Sequence, residues 1–202
     1  MSTDGPDGPR PRRGTVEQTR RRLVAAAAAA FERDGYEQTN TNRIAREAGY
    51  APGTFYKHFP DKLAAFAAVY EEWVAEEWRG IGEIAAGEPD VGLRARAIVD
   101  WIVEHHRRWR GLRRSLRRLA AEDGALRDAW LGSRSRQLDA LGSAGLGSRE
   151  EAALLLYAVE RTADALADGE DSALGLERER LVAGLAERLA EQLATAISGR
   201  GR

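Results

Sequence analysis

Apolar residues recur at helical spacing along most of the chain, and no stretch alternates apolar and polar positions as a half-buried strand would. Leu23, Ala26, Ala27, Ala30 and Phe31 follow at i, i+3, i+4, i+7 and i+8 behind a Thr15/Gln18 capping box. They predict a first helix over about 16–34, ended by Gly35. Asn40 is placed to cap a short second helix whose stripe is Ile44, Ala45 and Ala48, with Gly49 as its stop. A tight turn through Tyr50 and Ala51 then leads to Pro52, suited to the first turn of a third helix running through Thr54 to His58. Phe55 and Phe59, four apart, turn inward together, so 39–62 reads as a helix-turn-helix against which Leu23, Ala27 and Phe31 supply a core.

Pro60 breaks the third helix, and Asp61 is placed to cap a fourth that carries Phe66, Val69, Tyr70, Trp73 and Val74 to about Gly80 or Gly87 with no linker. Further helices are expected at 91–109, 111–122, 125–142, 149–168 and 177–197, separated by Gly111, Gly124 and two Gly-containing loops at 142–147 and 168–175. The fold class is therefore all-α. The last two helices carry apolar faces at Ala152, Leu155, Leu156, Val159, Ala163 and Leu166, and at Leu181, Val182, Leu185, Ala186, Leu189 and Leu193. Spacing alone leaves two uses for these faces, an internal core or an interface with a second copy.

The formal net charge of -1 hides a mild asymmetry. Residues 1–62 hold 11 Lys and Arg against 8 Asp and Glu, a balance of +3, and the remainder is net acidic. That leaning suits a DNA-facing amino-terminal part. Only Lys57 and Lys62 are lysines. A positive charge in the first turn of a helix opposes the helix dipole, so Lys62 reads as a phosphate contact. Thr54, Tyr56, Lys57 and His58 offer donors on the outer face of the third helix, and Gly53 gives it a tip where the backbone can approach a groove. Residues 1–14, rich in Pro, Gly, Asp and Arg, read as a disordered segment in which Arg10, Arg12 and Arg13 serve either as a solvated tail or as a DNA-binding arm.

These residues resemble a family. Gly35-Tyr36, Thr39, Ile44-Ala45, Ala48-Gly49, Gly53-Thr54-Phe55-Tyr56, His58-Phe59 and Lys62 match the pattern of TetR-like transcriptional regulators in register, over about a quarter of the chain. Three positions depart from it: Ala51 stands where a Ser or Thr commonly caps the recognition helix, Asn40 replaces a common Thr, and Tyr50 replaces a small aliphatic residue. The resemblance implies a helix-turn-helix domain over 15–60 and a helical effector-binding and dimerisation domain over 61–202, joined by the fourth helix. It implies a homodimer formed through about 149–168 and 177–197, a repressor's role on a palindromic double-stranded DNA operator, release by a small-molecule effector, and a cytoplasmic location. Candidate DNA-contacting residues are Thr39, Asn40, Thr41, Arg43, Tyr50, Pro52, Gly53, Thr54, Tyr56, Lys57, His58 and Lys62. The other reading is a dimeric helical scaffold or ligand-binding protein with only nonspecific DNA affinity.

Tyr70, Trp73, Trp101, His105, Trp109, Trp130 and Tyr157 lie on helices that surround a ligand cavity in that family, and they are either cavity lining or plain core. Adjacent His105 and His106 point in different directions on a helix and make a poor metal pair. The window Arg94 to Arg118 holds nine arginines. It reads as a solvated face beside one apolar stripe, with the acidic run Glu71, Glu72, Glu76 and Glu77 as an internal counterweight, or else as a site for an anionic ligand or acidic partner. The chain has no cysteine, no Gly-rich phosphate loop and no nucleophile signature, so an enzyme is not expected, and no metal, cofactor or membrane span is called for.

Overall fold

The computed structural model describes residues 15–200, and every regular element among them is a helix. The segment with Arg10, Arg12 and Arg13 lies outside the described residues. In chain order α1 spans Val16–Gln38, α2 Thr41–Glu47, α3 Pro52–Phe55, α4 Lys62–Gly87 and α5 Val91–Arg108. Then come α6 Arg110–Glu122, α7 Gly124–Ser143, α8 Arg149–Asp168, the single turn α9 Glu170–Ala173, and α10 Arg178–Arg200. None of these helices is long and apolar enough to cross a membrane.

The expected stops and caps account for most boundaries. Thr15 and Gln18 form the reciprocal capping box, while Asn40, Asp61, Asp90, Asp123 and Ser148 each accept a backbone N–H at the start of a helix. Gly35 takes φ 77° and ends the regular part of α1, although helical turns resume to Gln38. Gly49, at φ 83°, turns the chain between α2 and α3.

Two apolar clusters organise the molecule. The first joins Leu23, Ala27 and Phe31 of α1 to Ile44, Phe55 and Phe59, to the first half of α4, and to Leu112, Leu116 and Leu119 of α6. The helix-turn-helix therefore shares one core with α6, which lies far from it in sequence. The second cluster joins Val99 and Ile102 of α5 to Val159, Ala163 and Leu166 of α8 and to Val182, Leu185 and Leu189 of α10. The apolar faces expected to meet a second copy are thus largely occupied within one chain, because α5 lies against both α8 and α10. The large apolar side chains that these two helices leave exposed are Leu154, Tyr157 and Ile197.

Two glycines read as helix stops are close-approach sites instead. A Cβ on Gly80 would fall 2.2 Å from the Trp101 ring, so α4 continues past it and lets the indole lie against its backbone. A Cβ on Gly111 would fall 3.2 Å from the Glu32 carbonyl oxygen, so α6 rests its first turn on the end of α1. The break before α6 comes at Trp109 instead, with φ -106° and ψ 25°.

Candidate nucleic-acid interface

Phe55 and Phe59 are buried with ring centroids 5.5 Å apart, and they press α3 onto the amino-terminal core. This fixes what the same turn shows to solvent. Tyr56 is 56% exposed, and its hydroxyl lies 2.9 Å from Thr41 Oγ1, tying α2 to the chain just after α3. Lys57 is exposed, Thr54 and His58 are half-buried, and Pro52 and Gly53 form an open tip with no atom within 4 Å of a Cβ added at Gly53. Asn40 is exposed, and its side chain accepts the Arg43 N–H at 2.9 Å. Asn42 and Arg46, not singled out from the sequence, are exposed on α2. Arg20 of α1 stands over the Phe59 ring at 5.0 Å. The third helix itself is shorter than expected. After Phe55 the chain continues in tighter turns, with Lys57 N–H on the Thr54 carbonyl at 3.2 Å and His58 N–H on the Phe55 carbonyl at 2.9 Å. Ala51, at the cap position, makes no side-chain hydrogen bond to the helix start.

Four expected contacts change role. Thr39 is only 2% exposed, because the extended residue after α1 turns inward, and its hydroxyl donates to the Ala30 and Gly35 carbonyls at 3.2 and 2.9 Å. Tyr50 packs against the first core with its hydroxyl enclosed and without a hydrogen-bond partner among the described residues. Lys62 is engaged within the fold. Its Nζ donates to the Tyr36 and Thr39 carbonyls at 2.7 and 2.8 Å and sits 4.0 Å from the Tyr36 ring centroid. Carbonyls at the end of α1 thus supply the negative partner that the start of α4 cannot, and burial lowers the Lys62 pKa. Arg43 is paired with Glu47 at 2.8 Å and Asp34 at 2.9 Å, and Arg33 shares the same Glu47. To reach DNA, Arg43 has to leave a four-residue ion-pair cluster.

The seven aromatic and histidine candidates for ligand contact separate into two groups. Tyr70, Trp73, His105 and Trp101 form a continuous stack with centroid spacings of 6.0, 5.2 and 5.6 Å, so they fill the interior. His105 Nε2 lies 3.2 Å from the Trp73 carbonyl oxygen, and burial lowers its pKa. Trp109 is tilted against His105 at 6.5 Å and borders a shallow recess. Trp130 and Tyr157 alone line the 550 Å³ cavity between α6, α7 and α8.

That cavity adjoins a buried charge network the sequence did not disclose. His106, with no exposed surface, points away from His105 as expected and sits between two carboxylates, Nδ1 2.9 Å from Asp164 Oδ1 and Nε2 3.1 Å from Glu77 Oε2. Arg113, expected on a solvated face, is 8% exposed, and its Nε and Nη2 donate to the two oxygens of Asp164 at 2.9 Å each. Arg134 holds Glu160 bidentately at 2.7 and 2.6 Å. Burial alone would raise the Asp164 pKa, but His106 and Arg113 outweigh it and hold the carboxyl well below its usual range. For His106, burial and Arg113 act to lower the pKa, and the two carboxylates win and raise it. Other arginines of the window find acids on several helices: Arg108 pairs with Glu76, Arg114 with Asp168, Arg118 with Glu37 and Arg96 with Glu179. The acidic run on α4 is one counterweight among several.

The family model for bacterial regulatory proteins of the tetR family matches residues 23–69. An HTH-type transcriptional regulator of Staphylococcus aureus strain USA300 is 40% identical over 50 residues, which is 25% of this chain and 27% of that protein. The match therefore spans about a quarter of such relatives. Solved structures extend the likeness in fold alone. A transcriptional regulator from Rhodococcus sp. Rha1 aligns with a TM-score of 0.63 at 24% identity, over 89% of this chain and 96% of that one. The fatty acid degradation regulator FadR from Bacillus halodurans aligns with a TM-score of 0.62 at 16% identity, over 85% and 94%. A helix-turn-helix segment that matches the tetR family model over residues 23–69 is set on an all-helical body that follows such structures in fold nearly end to end.

Proposed function

We propose that the protein is a sequence-specific, DNA-binding transcriptional regulator acting in the cytoplasm as a homodimeric repressor, released from a palindromic operator by a small-molecule effector. The observation that carries this reading is the exposed α2–α3 face, where the Thr41–Tyr56 hydroxyl pair, Lys57, Thr54 and His58 surround an open Pro52-Gly53 tip. Hydroxyls and a cation at this spacing suit phosphate oxygens, and the open tip suits the floor of a major groove. With Thr39, Tyr50 and Lys62 turned inward and Arg43 paired, the proposed contacts narrow to Asn40, Thr41, Pro52, Gly53, Thr54, Tyr56, Lys57 and His58, joined by Asn42 and Arg46. The subunits meet through α8 and α10 by their outward residues Leu154, Tyr157 and Ile197, which bring two recognition turns onto successive grooves. The effector occupies the helical body and favours an arrangement of α4 whose spacing misfits the operator.

Selection from a random DNA pool, followed by salt titration on the selected and a scrambled duplex, tests this. A regulator keeps on the order of a thousandfold preference for its site. Equal affinity for both duplexes would leave the nonspecific helical scaffold as the better reading.

A further inference from the structure

A cavity of about 200 Å³ lies between α4, α5, α7, α8 and α10. Its wall is mostly aliphatic, with Ile81, Ile98, Ile102, Leu156 and Leu189, and a few polar side chains interrupt it. Two of these are settled within the fold. Glu77 is paired with His106 at 3.1 Å, and Glu160 has both oxygens held by Arg134. Two others are donors with capacity to spare. Arg94 is half-buried, and its Nε and Nη2 donate to the Glu88 and Pro89 carbonyls at 2.7 and 3.0 Å. Those bonds orient the guanidinium without neutralising it, since Nη1 has no acceptor and no carboxylate pairs with it among the described residues. Trp78 brings an indole whose Nε1 is enclosed and has no hydrogen-bond acceptor among the described residues. α4 and α5 run antiparallel, with the Trp101 ring against Gly80 and His105 beside the Trp73 carbonyl. Arg94 therefore lies level with the end of α4 and Trp78 level with Ile102. The two donors stand at opposite ends of the cavity, on the order of 13 Å apart along α4 at about 1.5 Å per residue.

Both ends call for an oxygen, and they differ in charge. An enclosed N–H without an acceptor costs free energy that a ligand oxygen recovers, and a guanidinium without a counterion beside apolar surface favours an anion. A cationic head gains nothing at either end, because neither a guanidinium nor an indole N–H accepts a hydrogen bond. At the packing density of protein interiors, about 0.75, the cavity takes ~150 Å³ of ligand atoms, roughly an eight-carbon acid. We propose that this cavity binds a linear aliphatic carboxylate of that size. Its carboxylate accepts from Arg94 Nη1, its chain lies along the isoleucines and leucines, and a hydroxyl or carbonyl oxygen at its far end accepts from Trp78 Nε1. The claim that such binding alters DNA affinity rests on the ligand-responsive reading above; the claim of binding does not. Trp78 lies on α4, whose first residue, Lys62, holds the end of α1, so the ligand acts on the helix that carries the DNA-facing part.

Titration calorimetry of the full chain near neutral pH with octanoate, octan-1-ol and n-octylammonium compares three heads on one apolar body. Octanoate is expected to bind on the order of tenfold tighter than the alcohol, as a charge-assisted hydrogen bond exceeds a neutral one, with the ammonium weakest. Equal affinities, or any other order, overturn the proposal. Arg94→Gln should abolish the preference for octanoate over the alcohol while the alcohol still binds, and a preference that survives overturns the role of Arg94. 8-Hydroxyoctanoate should bind the wild type roughly fivefold tighter than octanoate, and no tighter in Trp78→Phe, which keeps a ring and removes the N–H. A gain absent from the wild type, or persisting in Trp78→Phe, overturns the far-end oxygen. Should either variant not fold, Leu156→Trp, which narrows the cavity, must weaken octanoate on the order of tenfold in a protein of unchanged helical circular dichroism. Unchanged affinity places the ligand elsewhere and overturns the site. The same titrations with selected DNA present separate the two readings. Octanoate binding that leaves DNA affinity unchanged overturns effector release alone, and DNA release by all three heads alike overturns the carboxylate site alone.

Discussion

Lys62 and Lys57, the only lysines, stand in opposite surroundings, one engaged within the fold and one exposed. Lys62 is bonded to two carbonyls at the end of α1, so Lys62→Ala is expected to destabilise the fold by about 1–2 kcal/mol, read as a lower midpoint in urea denaturation. Lys57 is exposed and free of ion pairs among the described residues, so Lys57→Ala is expected to leave stability unchanged, to weaken binding to every DNA sequence alike, and to reduce the salt slope by about one charge. A shift in base preference at Lys57 would contradict that role. His106 gives a pH test. It faces Asp164 of α8 and Glu77 of α4, with Arg113 of α6 nearby. Its folded pKa is raised, so its stabilising charge is fully present below its unfolded value near 6.5 and fades as pH rises through the folded value. Asp164 is depressed, so its contribution is present above about 3.8 and fades toward stronger acid. The Tm gap between the wild type and His106→Gln is therefore widest between about pH 4 and 6.5 and narrows in alkali, measured by calorimetry across that range.

At the scale of elements, helices were legible because each carries a 3.6-residue apolar stripe bounded by a cap residue or a stop. Those signals act locally along the chain, and so they fixed 149–168 to the residue. What they could not convey is what a helix lies against. Gly80 and Gly111 look like stops in sequence but are required by Trp101 and by the α1 backbone. Arg113 looks solvated because only the arrival of Asp164, 51 residues later, makes a buried guanidinium tolerable. Thr39 and Tyr50 fit a binding pattern by residue type, yet a backbone turn and a core contact point them inward. The Gly80 reading is testable. Gly80→Ala gains about 1 kcal/mol of helix propensity but forces the Trp101 ring aside at a cost of about 1–3 kcal/mol, so denaturant unfolding should show a net loss. A more stable variant would mean that the indole has room to move.

On the scale of the whole molecule, the two apolar clusters do not follow the division into an amino-terminal and a carboxy-terminal part. α6 packs into the core of the helix-turn-helix, while α5 fills the faces of α8 and α10. The apolar stripes of α8 and α10 could not reveal this, since an intramolecular and an intermolecular partner demand the same spacing. An interface built on the opposite faces makes a definite prediction. The double variant Leu154→Glu with Tyr157→Glu should sediment as a monomer with unchanged helical circular dichroism, and its affinity for a palindromic site should fall at least tenfold. A dimer that persists would place the contact elsewhere.

The single turn of α3, with no side-chain cap at Ala51, has a thermodynamic consequence of its own. So short a helix has almost no stability from its own hydrogen bonds, and its geometry depends on the burial of Phe55 and Phe59 and on the Thr41–Tyr56 contact. The residues that would touch a groove keep conformational entropy that DNA must remove, at about 1–2 kcal/mol for each backbone position newly fixed. Recognition then includes a small folding step, with an unfavourable entropy that grows as the free turn loosens on warming.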